Sequence, residues 1–307
     1  MQQVTVRVPA STSNLGPGFD CLGVALSLYN DVILTRGAKS RPPAIVCAAA
    51  DLFFQRTGYA PFSFSVLTKG DVPSSRGLGG SVTVRLGVLI ALNVLTGNRL
   101  DRLSIFQLCA HLERHPDNAA PAAFGGFTVV RQASHLSRQA RLRPIDVNGA
   151  QLQRFEVSAR LHFVLLIPDF EIKTAAARKI LPWKISRVAA IESCQNACAI
   201  TAAFASRNYR NLRGAFRDHL HQPYRQKLVP FLPRVIAAAE RAGALGAFLS
   251  GSGSTICAVT LQNRDKVAAA MLRAARTYPE RKSNGSVPAR AFVTTADNMG
   301  AQILVNR

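Results

Sequence analysis

Alternation between apolar and polar residues opens the chain and predicts a half-buried strand. Val4, Val6 and Val8 alternate with polar neighbours, and Pro9 then ends the ladder. Longer runs with helical spacing predict four helices, and shorter apolar runs bounded by turn residues predict further strands. The predicted helices cover 81–95, 101–113, 188–204 and 235–242, and the further strands cover 21–34, 62–66, 127–130, 161–167 and the stretch after Gly246. Helices and strands are therefore interleaved, which indicates a mixed α and β protein.

A glycine-rich turn directly precedes the helix predicted at 81–95. Gly77, Gly79 and Gly80 remove Cβ atoms where a backbone would approach a ligand closely, and Ser81 opens a helix whose N-terminal amides favour anions. The segment matches neither G-x-x-x-x-G-K-[ST] nor G-x-G-x-x-G after a strand. The glycines alone leave two alternatives open: a phosphate-binding loop, or a flexible turn into a core helix.

Length and composition predict a sizeable core. A chain of 307 residues with 48% hydrophobic residues fits two domains or one large domain. The polar, arginine-rich stretch 131–149 has weak periodicity and is the best boundary candidate. We therefore expect one domain over residues 1–150 and a second over residues 151–307.

The formal net charge of +21 resembles that of a nucleic-acid-binding protein. Arginines occur from Arg7 to Arg307, without a dense basic block or interleaved aromatic residues. This distribution favours a basic solvated surface, so no nucleic-acid partner is predicted. The longest apolar runs, such as 82–95, are too short or too interrupted to span a bilayer, and no secretory leader opens the chain. We expect no membrane association and a cytoplasmic location.

Six cysteines form no C-x-x-C pair. A chain of this size does not need disulfides, so reduced and mostly buried thiols are expected. Cys194 and Cys198 lie one helical turn apart near Glu192, but no matching His/Cys pair accompanies them. A zinc site is therefore not predicted.

Four separated segments together resemble one family. They are NLGPGFDCLGVAL from Asn14, the glycine loop over 73–83, HPDNAAPAAFGG from His115, and LSGSGSTICAV from Leu249. In order and spacing they resemble the signature blocks of homoserine kinases in the GHMP small-molecule kinase superfamily, over nearly the whole chain. The resemblance implies an α+β, two-domain GHMP kinase fold. Its N-terminal domain of mixed sheet and helices carries the ATP loop, and its C-terminal domain is a ferredoxin-like α/β sandwich.

The glycine loop resembles the family's P-x-x-x-G-L-G-S-S-A motif, which wraps the ATP phosphates. Ser81 corresponds to its second serine, which helps hold Mg²⁺, whereas Gly80 replaces the first serine and Val82 replaces the alanine. The implied ATP-binding residues are Pro73, Ser74, Ser75, Arg76, Gly77, Leu78, Gly79, Gly80, Ser81, Val82 and Thr83. A hard cation also prefers a carboxylate, and Glu113 is the candidate. Arg114 follows it where the family often has glycine, and the alternative is a solvated Glu113 paired with Arg114 or Arg102.

The resemblance also implies a site for an amino acid that carries a hydroxyl group. An aspartate would contact the ammonium group, and an arginine can grip the carboxylate through two parallel hydrogen bonds. The implied substrate-binding residues are Asn14, Asp20, His115, Asp117, Asn118, Thr174, Arg178, Arg225, Gly251 and Gly253. Alternatives remain for each: Asn14 and Asp20 could cap turns, His115 could be an ordinary loop histidine, the arginines could be solvated, and the Gly251 turn could simply enter a strand.

The activity implied by the resemblance is transfer of the ATP γ-phosphate to the hydroxyl of L-homoserine, giving O-phospho-L-homoserine and ADP for threonine synthesis. Ser81, Glu113 and Asp117 are the catalytic candidates, with Ser81 and Glu113 as the Mg²⁺ ligands. Whether Asp117 or Asp20 acts as a base stays open, because a dissociative transition state asks little of one. A homodimer is implied by the resemblance only. The alternatives are a GHMP-type kinase for another small alcohol, or a binding protein that has lost turnover.

Overall fold

The computed structural model describes residues 2–37, 42–131, 151–278 and 287–306. Its strands are β1 (Gln3–Ser13), β2 (Leu22–Arg36), β3 (Phe64–Gly70), β4 (Phe127–Arg131), β5 (Gln151–Phe155), β6 (His162–Pro168), β7 (Gly246–Leu249), β8 (Ile256–Thr260), β9 (Ala289–Thr295) and β10 (Gln302–Asn306). Its α-helices are α1 (Ala44–Thr57), α2 (Gly80–Leu95), α3 (Arg102–Glu113), α4 (Ala119–Phe124), α5 (Thr174–Lys179), α6 (Arg187–Ala205), α7 (Gln222–Arg225), α8 (Leu232–Arg241) and α9 (Arg264–Arg276).

The strands of the described residues form two sheets. The first has six strands in the order β10-β1-β2-β4-β5, with β3 also paired to β2. The alternation predicted at the start of the chain is confirmed, because Val4, Val6 and Val8 are fully buried on one face of β1. The prediction that Pro9 ends the strand is wrong: β1 continues to Ser13, with a shift in register after Pro9. Helices α1 to α4 join them in one apolar core, and α2 supplies Leu86, Leu89 and Leu92 to its centre. This packing holds the N-terminus of α2 at the edge where the glycine loop arrives.

The second sheet has four antiparallel strands in the order β7-β8-β6-β9. Along the chain, helices separate β6 from β7, and one helix separates β8 from β9. Within the sheet, the first of these strands, β6, lies between the third and the fourth, β8 and β9. This is the ferredoxin-like arrangement, as expected. One side is covered by α8 and α9 through Val235, Met271 and their neighbours.

A third apolar cluster lies between the two sheets. The rings of Phe127 in β4 and Phe204 in α6 stack there with centroids 4.2 Å apart, and Leu165 of β6 packs in the same cluster. Strands β5 and β10 both pair into the first sheet, although β10 follows the whole second sheet in the sequence. The chain therefore crosses between the two halves twice.

The expectation of mostly buried thiols is wrong: Cys109 and Cys257 are buried, Cys21 and Cys47 are half-buried, and Cys194 and Cys198 are exposed on α6. Among the described residues, α6 is also the one helix long and apolar enough, by length and composition, to cross a bilayer. In the most apolar 18-residue stretch of α6, 22% of the residues are buried, and the C-terminal turn of this helix packs in the apolar cluster between the sheets.

Candidate active site

A cleft of about 440 Å³ opens where the loops of the two halves meet. It is bounded by the loop after β1, the glycine loop and start of α2, the segment after α3, helices α5 and α7, and the loop between β7 and β8. Its lining is Ser13, Asn14, Phe19, Asp20, Ile45, Ser74, Ser75, Gly77, Gly79, Gly80, Ser81, Val82, Val84, Glu113, His115, Asp117, Asn118, Lys173, Thr174, Arg178, Arg225, Gly251 and Ser252. The four sequence segments that suggested a site therefore do converge.

The glycine loop presents the uncapped N-terminus of α2 to this cleft. Gly79, the N-cap residue, has φ of +69°, and no side chain of the described residues caps the helix. The amides of Gly80, Ser81 and Val82 thus have no partner within the helix, and all three residues line the cleft. Free amides at the positive end of a helix dipole form an anion site.

Contacts with the second half fix the shape of the glycine loop. The Ser250 hydroxyl donates to the Gly77 carbonyl at 2.6 Å, and the amide of Ile172 donates to the Ser75 carbonyl at 3.0 Å. Gly77 has φ of +76°, and a Cβ there would overlap the carbonyl oxygen of Ser250. A glycine is therefore required at this crossing of two loops.

Ser81 and Glu113 meet at the entrance of the cleft. The Ser81 hydroxyl donates to Glu113 Oε2 at 3.0 Å, and Arg85 Nη1 donates to Glu113 Oε1 at 2.7 Å. The alternative partners expected for Glu113 are wrong. Arg114 is an exposed C-cap residue of α3, and Arg102 donates to the carbonyl oxygens of Ala123, Met299 and Ala301.

Half-buried His115 and buried Asp117 form a pair on the cleft wall, with Nδ1 3.5 Å from Oδ1. Burial works to lower the pKa of His115, but the Asp117 carboxylate outweighs it and leaves that pKa raised. Burial works to raise the pKa of Asp117, yet His115 outweighs it, so that pKa is lowered. Asp117 is therefore an ionised carboxylate, although its side chain is buried.

Asp20 and Arg178 face each other across the cleft as a bidentate pair. Arg178 Nη1 lies 3.0 Å from Asp20 Oδ2, and Nη2 lies 2.5 Å from Oδ1. The Phe19 ring lies under two guanidinium groups, 5.3 Å from that of Arg178 and 5.2 Å from that of Arg225. The Asp20 carboxylate, which can accept hydrogen bonds from a cation, thus lies beside two guanidinium groups that can donate hydrogen bonds to an anion.

Arg225 is 1% exposed, the most buried cation of the site. Its Nε donates to the Ala177 carbonyl at 3.2 Å and its Nη1 to the Gly251 carbonyl at 2.8 Å. Burial lowers the pKa of Arg225 to about 10, so the guanidinium stays charged at neutral pH. Within the described part of the chain, Nη2 has no hydrogen-bond partner, and the residue lines the cleft.

Comparison with known proteins identifies this arrangement. The model "GHMP kinases N terminal domain" matches residues 44–126 and "GHMP kinases C terminal" matches residues 200–279. Homoserine kinase from Carboxydothermus hydrogenoformans is 35% identical over 99% of this chain and 97% of its own. The chain belongs to the homoserine kinase family of GHMP kinases. The resemblance, the fold class and the enzyme class expected from the sequence are confirmed: this is a small-molecule kinase, and ATP is its phosphoryl donor.

Two further relatives agree. Homoserine kinase from Caldicellulosiruptor bescii is 38% identical over 85% of each chain. A crystal structure of homoserine kinase from Cytophaga hutchinsonii superposes with a TM-score of 0.83, covering 98% of this chain and 97% of that chain. At 24% identity, the structural likeness shows the GHMP kinase fold.

Two of the predicted site residues, Asn14 and Asn118, connect loops of the kinase cleft through hydrogen bonds of their side-chain amides. Asn14 donates to the Gly251 carbonyl at 3.0 Å and accepts from the Asp20 amide at 3.1 Å. Asn118 accepts from the Ser11 hydroxyl and donates to the Ser13 hydroxyl, each at 2.9 Å. Both line the cleft, and both join segments that are far apart in the sequence.

Some predicted residues lie outside the lining of the kinase cleft. Leu78 is in the core, and buried Thr83 bonds Asn30 and the Gly80 carbonyl. The residues outside the lining are Pro73, Arg76, Leu78, Thr83 and Gly253. Sequence reasoning missed six lining residues: Ser13, Phe19, Ile45, Val84, Lys173 and Ser252. All except Ile45 directly adjoin a residue that was singled out, which is the one signal that could have found them.

Proposed function

We propose that this chain transfers the γ-phosphoryl group of ATP to the hydroxyl of L-homoserine, giving O-phospho-L-homoserine and ADP. The observation that carries the proposal is the group formed by Asp20, Arg178 and Arg225 opposite the start of α2. An α-amino acid carries one ammonium and one carboxylate, which match one aspartate and two arginines. The relatives at 35% and 38% identity are named homoserine kinases, which supports the same substrate.

In this proposal the ATP phosphates lie against the amides of Gly80, Ser81 and Val82. The helix N-terminus supplies positive potential, and the glycine loop approaches without side chains. Phosphoryl transfer depends mainly on position and on neutralising charge spread over the phosphate oxygens. The fixed loop contacts with Ser250 and Ile172 support such positioning.

We propose Ser81 and Glu113 as the groups that hold Mg²⁺. One hydroxyl and one carboxylate side by side on the cleft wall fit a cation that is usually bound by one or two carboxylates together with substrate phosphates. Arg85 orients the carboxylate from its other oxygen. When bound, Mg²⁺ neutralises phosphate charge during transfer.

Ser81→Ala should lower Mg-ATP-dependent turnover about a hundredfold, the usual scale for losing one preorganised transition-state contact. Ser81→Thr, which keeps a hydroxyl, is the matched control and should retain much more activity. Steady-state rates of ADP release with varied Mg²⁺ measure both variants. An unimpaired Ser81→Ala enzyme would show that the metal lies elsewhere.

Asp117 is proposed first as a binding group for the substrate. Its low pKa and its pairing with His115 suit an ionised acceptor, and the proton of the substrate hydroxyl can pass to a γ-phosphate oxygen. Asp117→Asn should then raise the homoserine KM and leave kcat within a few-fold. A collapse of kcat at unchanged KM would assign Asp117 to base catalysis.

The substrate is tested by a panel of small alcohols with Mg-ATP, following ADP release. We expect L-homoserine to stimulate release most strongly. Stimulation by another alcohol and not by homoserine would favour a different GHMP-type kinase. No stimulation by any alcohol would favour a binding protein of the same fold in which Gly80, Val82 and Arg114 have removed turnover.

Several broader expectations remain proposals. We propose an ATP-loop domain over 1–150 and a second domain over 151–307; β5 and β10 would then join the first sheet from the second domain. A cytoplasmic location is likewise proposed. A homodimer is proposed from the family, and the exposed Trp183, Val188 and Ile191 around the start of α6 support it. No nucleic-acid partner is proposed.

A further inference from the structure

We propose that His221 is a positioning residue that fixes the Arg225 guanidinium for the carboxylate of the substrate. The inference rests on the proposed function, since it takes homoserine as the substrate and Arg225 as a group that binds its carboxylate. His221 is fully buried at the N-cap of α7, does not line the cleft, and bonds both Arg225 and the loop after β1.

The two ring nitrogens of His221 face opposite kinds of partner. Nε2 lies 2.8 Å from the carbonyl oxygen of Gly16, which can only accept, and 3.4 Å from Oδ2 of Asp218. Nδ1 lies 3.3 Å from Nη1 of Arg225, which can only donate. One neutral tautomer, with its proton on Nε2, satisfies both contacts.

A charged imidazole would point an N–H group at the N–H groups of Arg225. Burial lowers the pKa of His221 to about 4, and the Arg225 charge acts in the same direction, which keeps the ring neutral at physiological pH. Asp218 acts against this, but it is occupied by three backbone amides, those of Leu220, His221 and Gln222. The accepting lone pair on Nδ1 is therefore permanently available to Arg225.

His221 completes a set of three tethers on one guanidinium. The carbonyls of Ala177 and Gly251 hold Nε and Nη1 of Arg225, and Nδ1 of His221 holds Nη1 from a different direction. The His221 ring also stacks on Phe19, with centroids 5.3 Å apart, and Phe19 lies under both substrate arginines. The remaining nitrogen, Nη2, is thus held by a rigid frame and is free to donate a charge-assisted hydrogen bond to a carboxylate.

The test compares two substitutions that keep different halves of the imidazole. In His221→Asn the side-chain oxygen lies near the former Nδ1 and can accept from Arg225, whereas in His221→Gln the amide nitrogen lies near the former Nε2 and can donate to Gly16. We expect His221→Gln to raise the homoserine KM about tenfold, as for loss of one hydrogen bond to a charged group, and to leave the ATP KM unchanged. His221→Asn should recover most of that loss.

A competitor without a carboxylate separates positioning from general damage to the site. The inhibition constant of 3-aminopropan-1-ol against homoserine should be the same for wild type and His221→Gln, because Arg225 has no carboxylate to hold. His219→Asn is the matched control: His219 lies two residues away, bonds Glu192, and is half-exposed outside the cleft. It should leave both constants unchanged.

Three results would overturn the inference. They are an equal rise of the homoserine KM in the Asn and Gln variants, an unchanged homoserine KM in His221→Gln, and weaker inhibition of that variant by the carboxylate-free competitor. Melting temperatures are measured for every variant, and an Asn variant that melts like the Gln variant yet restores the KM supports positioning. If the wild-type enzyme does not turn over homoserine, the proposed function itself fails, which is a separate result.

Discussion

The pair formed by His115 and Asp117 shows how a carboxylate sets the charge of a neighbouring imidazole. Burial works to lower the pKa of His115, and Asp117, with a smaller contribution from Asp20, reverses this. We predict that Asp117→Asn moves the pKa of His115 from above 6.5 to below it, as measured by NMR titration of the imidazole protons. An unshifted pKa would mean that another group charges His115.

The same pair has a defined effect on stability. Because the folded-state pKa of His115 is raised, this residue's contribution to the free energy of unfolding is complete below pH 6.5. The contribution is lost as the pH rises through the folded-state pKa. Because the folded-state pKa of Asp117 is lowered, its contribution is present above pH 3.8 and is lost on acidification. The pair therefore stabilises most between these limits.

At the residue scale, sequence motifs identified most of the cleft. The groups around Asp20, Glu113 and Asp117 converge as expected because short motifs keep their chemistry together. His221 was not identified, although it lies four residues before Arg225, which was. Its role depends on a carbonyl 205 residues away in the chain and on burial, and neither is visible in a motif.

Among the elements, α3 ends in a strained position. Its C-cap residue, Arg114, has φ of +66°, a left-handed conformation that costs a non-glycine residue about 1 kcal/mol or more. We predict that Arg114→Gly stabilises the protein by about 0.5–1 kcal/mol in urea unfolding, without loss of activity.

Arg273→Gly is the matched control for that prediction, since Arg273 is exposed within α9. A glycine there should destabilise by about 1 kcal/mol. If both variants were destabilised equally, the left-handed strain at Arg114 would be excluded. The family's preference for glycine after Glu113 would then need a different explanation.

Helix α1 shows what limited the prediction of elements. Two long apolar helices, Gly80–Leu95 and Arg187–Ala205, were found to within a few residues, but the amphipathic helix α9 was missed. Helix α1, Ala44–Thr57, was missed, although Pro43 precedes it and Gly58 ends it with φ of +66°. A proline at the start and a glycine at the end are common helix boundaries, and these two residues were the signal that the sequence offered.

For the whole molecule, buried neutral His221 predicts acid sensitivity. Its folded-state pKa of about 4 is below the unfolded value of 6.5, so the unfolded chain binds the proton first. Stability should therefore be full above pH 6.5 and fall as pH drops from 6.5 towards 4. Urea unfolding of wild type and His221→Phe across this range should show a flatter pH dependence in the variant. The same slope in both would contradict this assignment.

The arrangement of the whole chain was the part that sequence pattern could not supply unaided. The pairing of β1 with β10 joins residues near the two ends of the chain, and the order β7-β8-β6-β9 places the first strand between the third and the fourth. Both depend on long-range contacts that local periodicity does not encode. The family resemblance supplied the two-domain fold, and the structure agrees with it.

The most direct test of the central claim is to identify and count the products by ³¹P NMR. Wild-type enzyme with Mg-ATP and L-homoserine should form ADP and one phosphomonoester, O-phospho-L-homoserine, in equal amounts, and omitting homoserine should abolish both. ADP accompanied by inorganic phosphate alone, or no homoserine-dependent ADP at all, would contradict the assignment of this cleft as a homoserine kinase site.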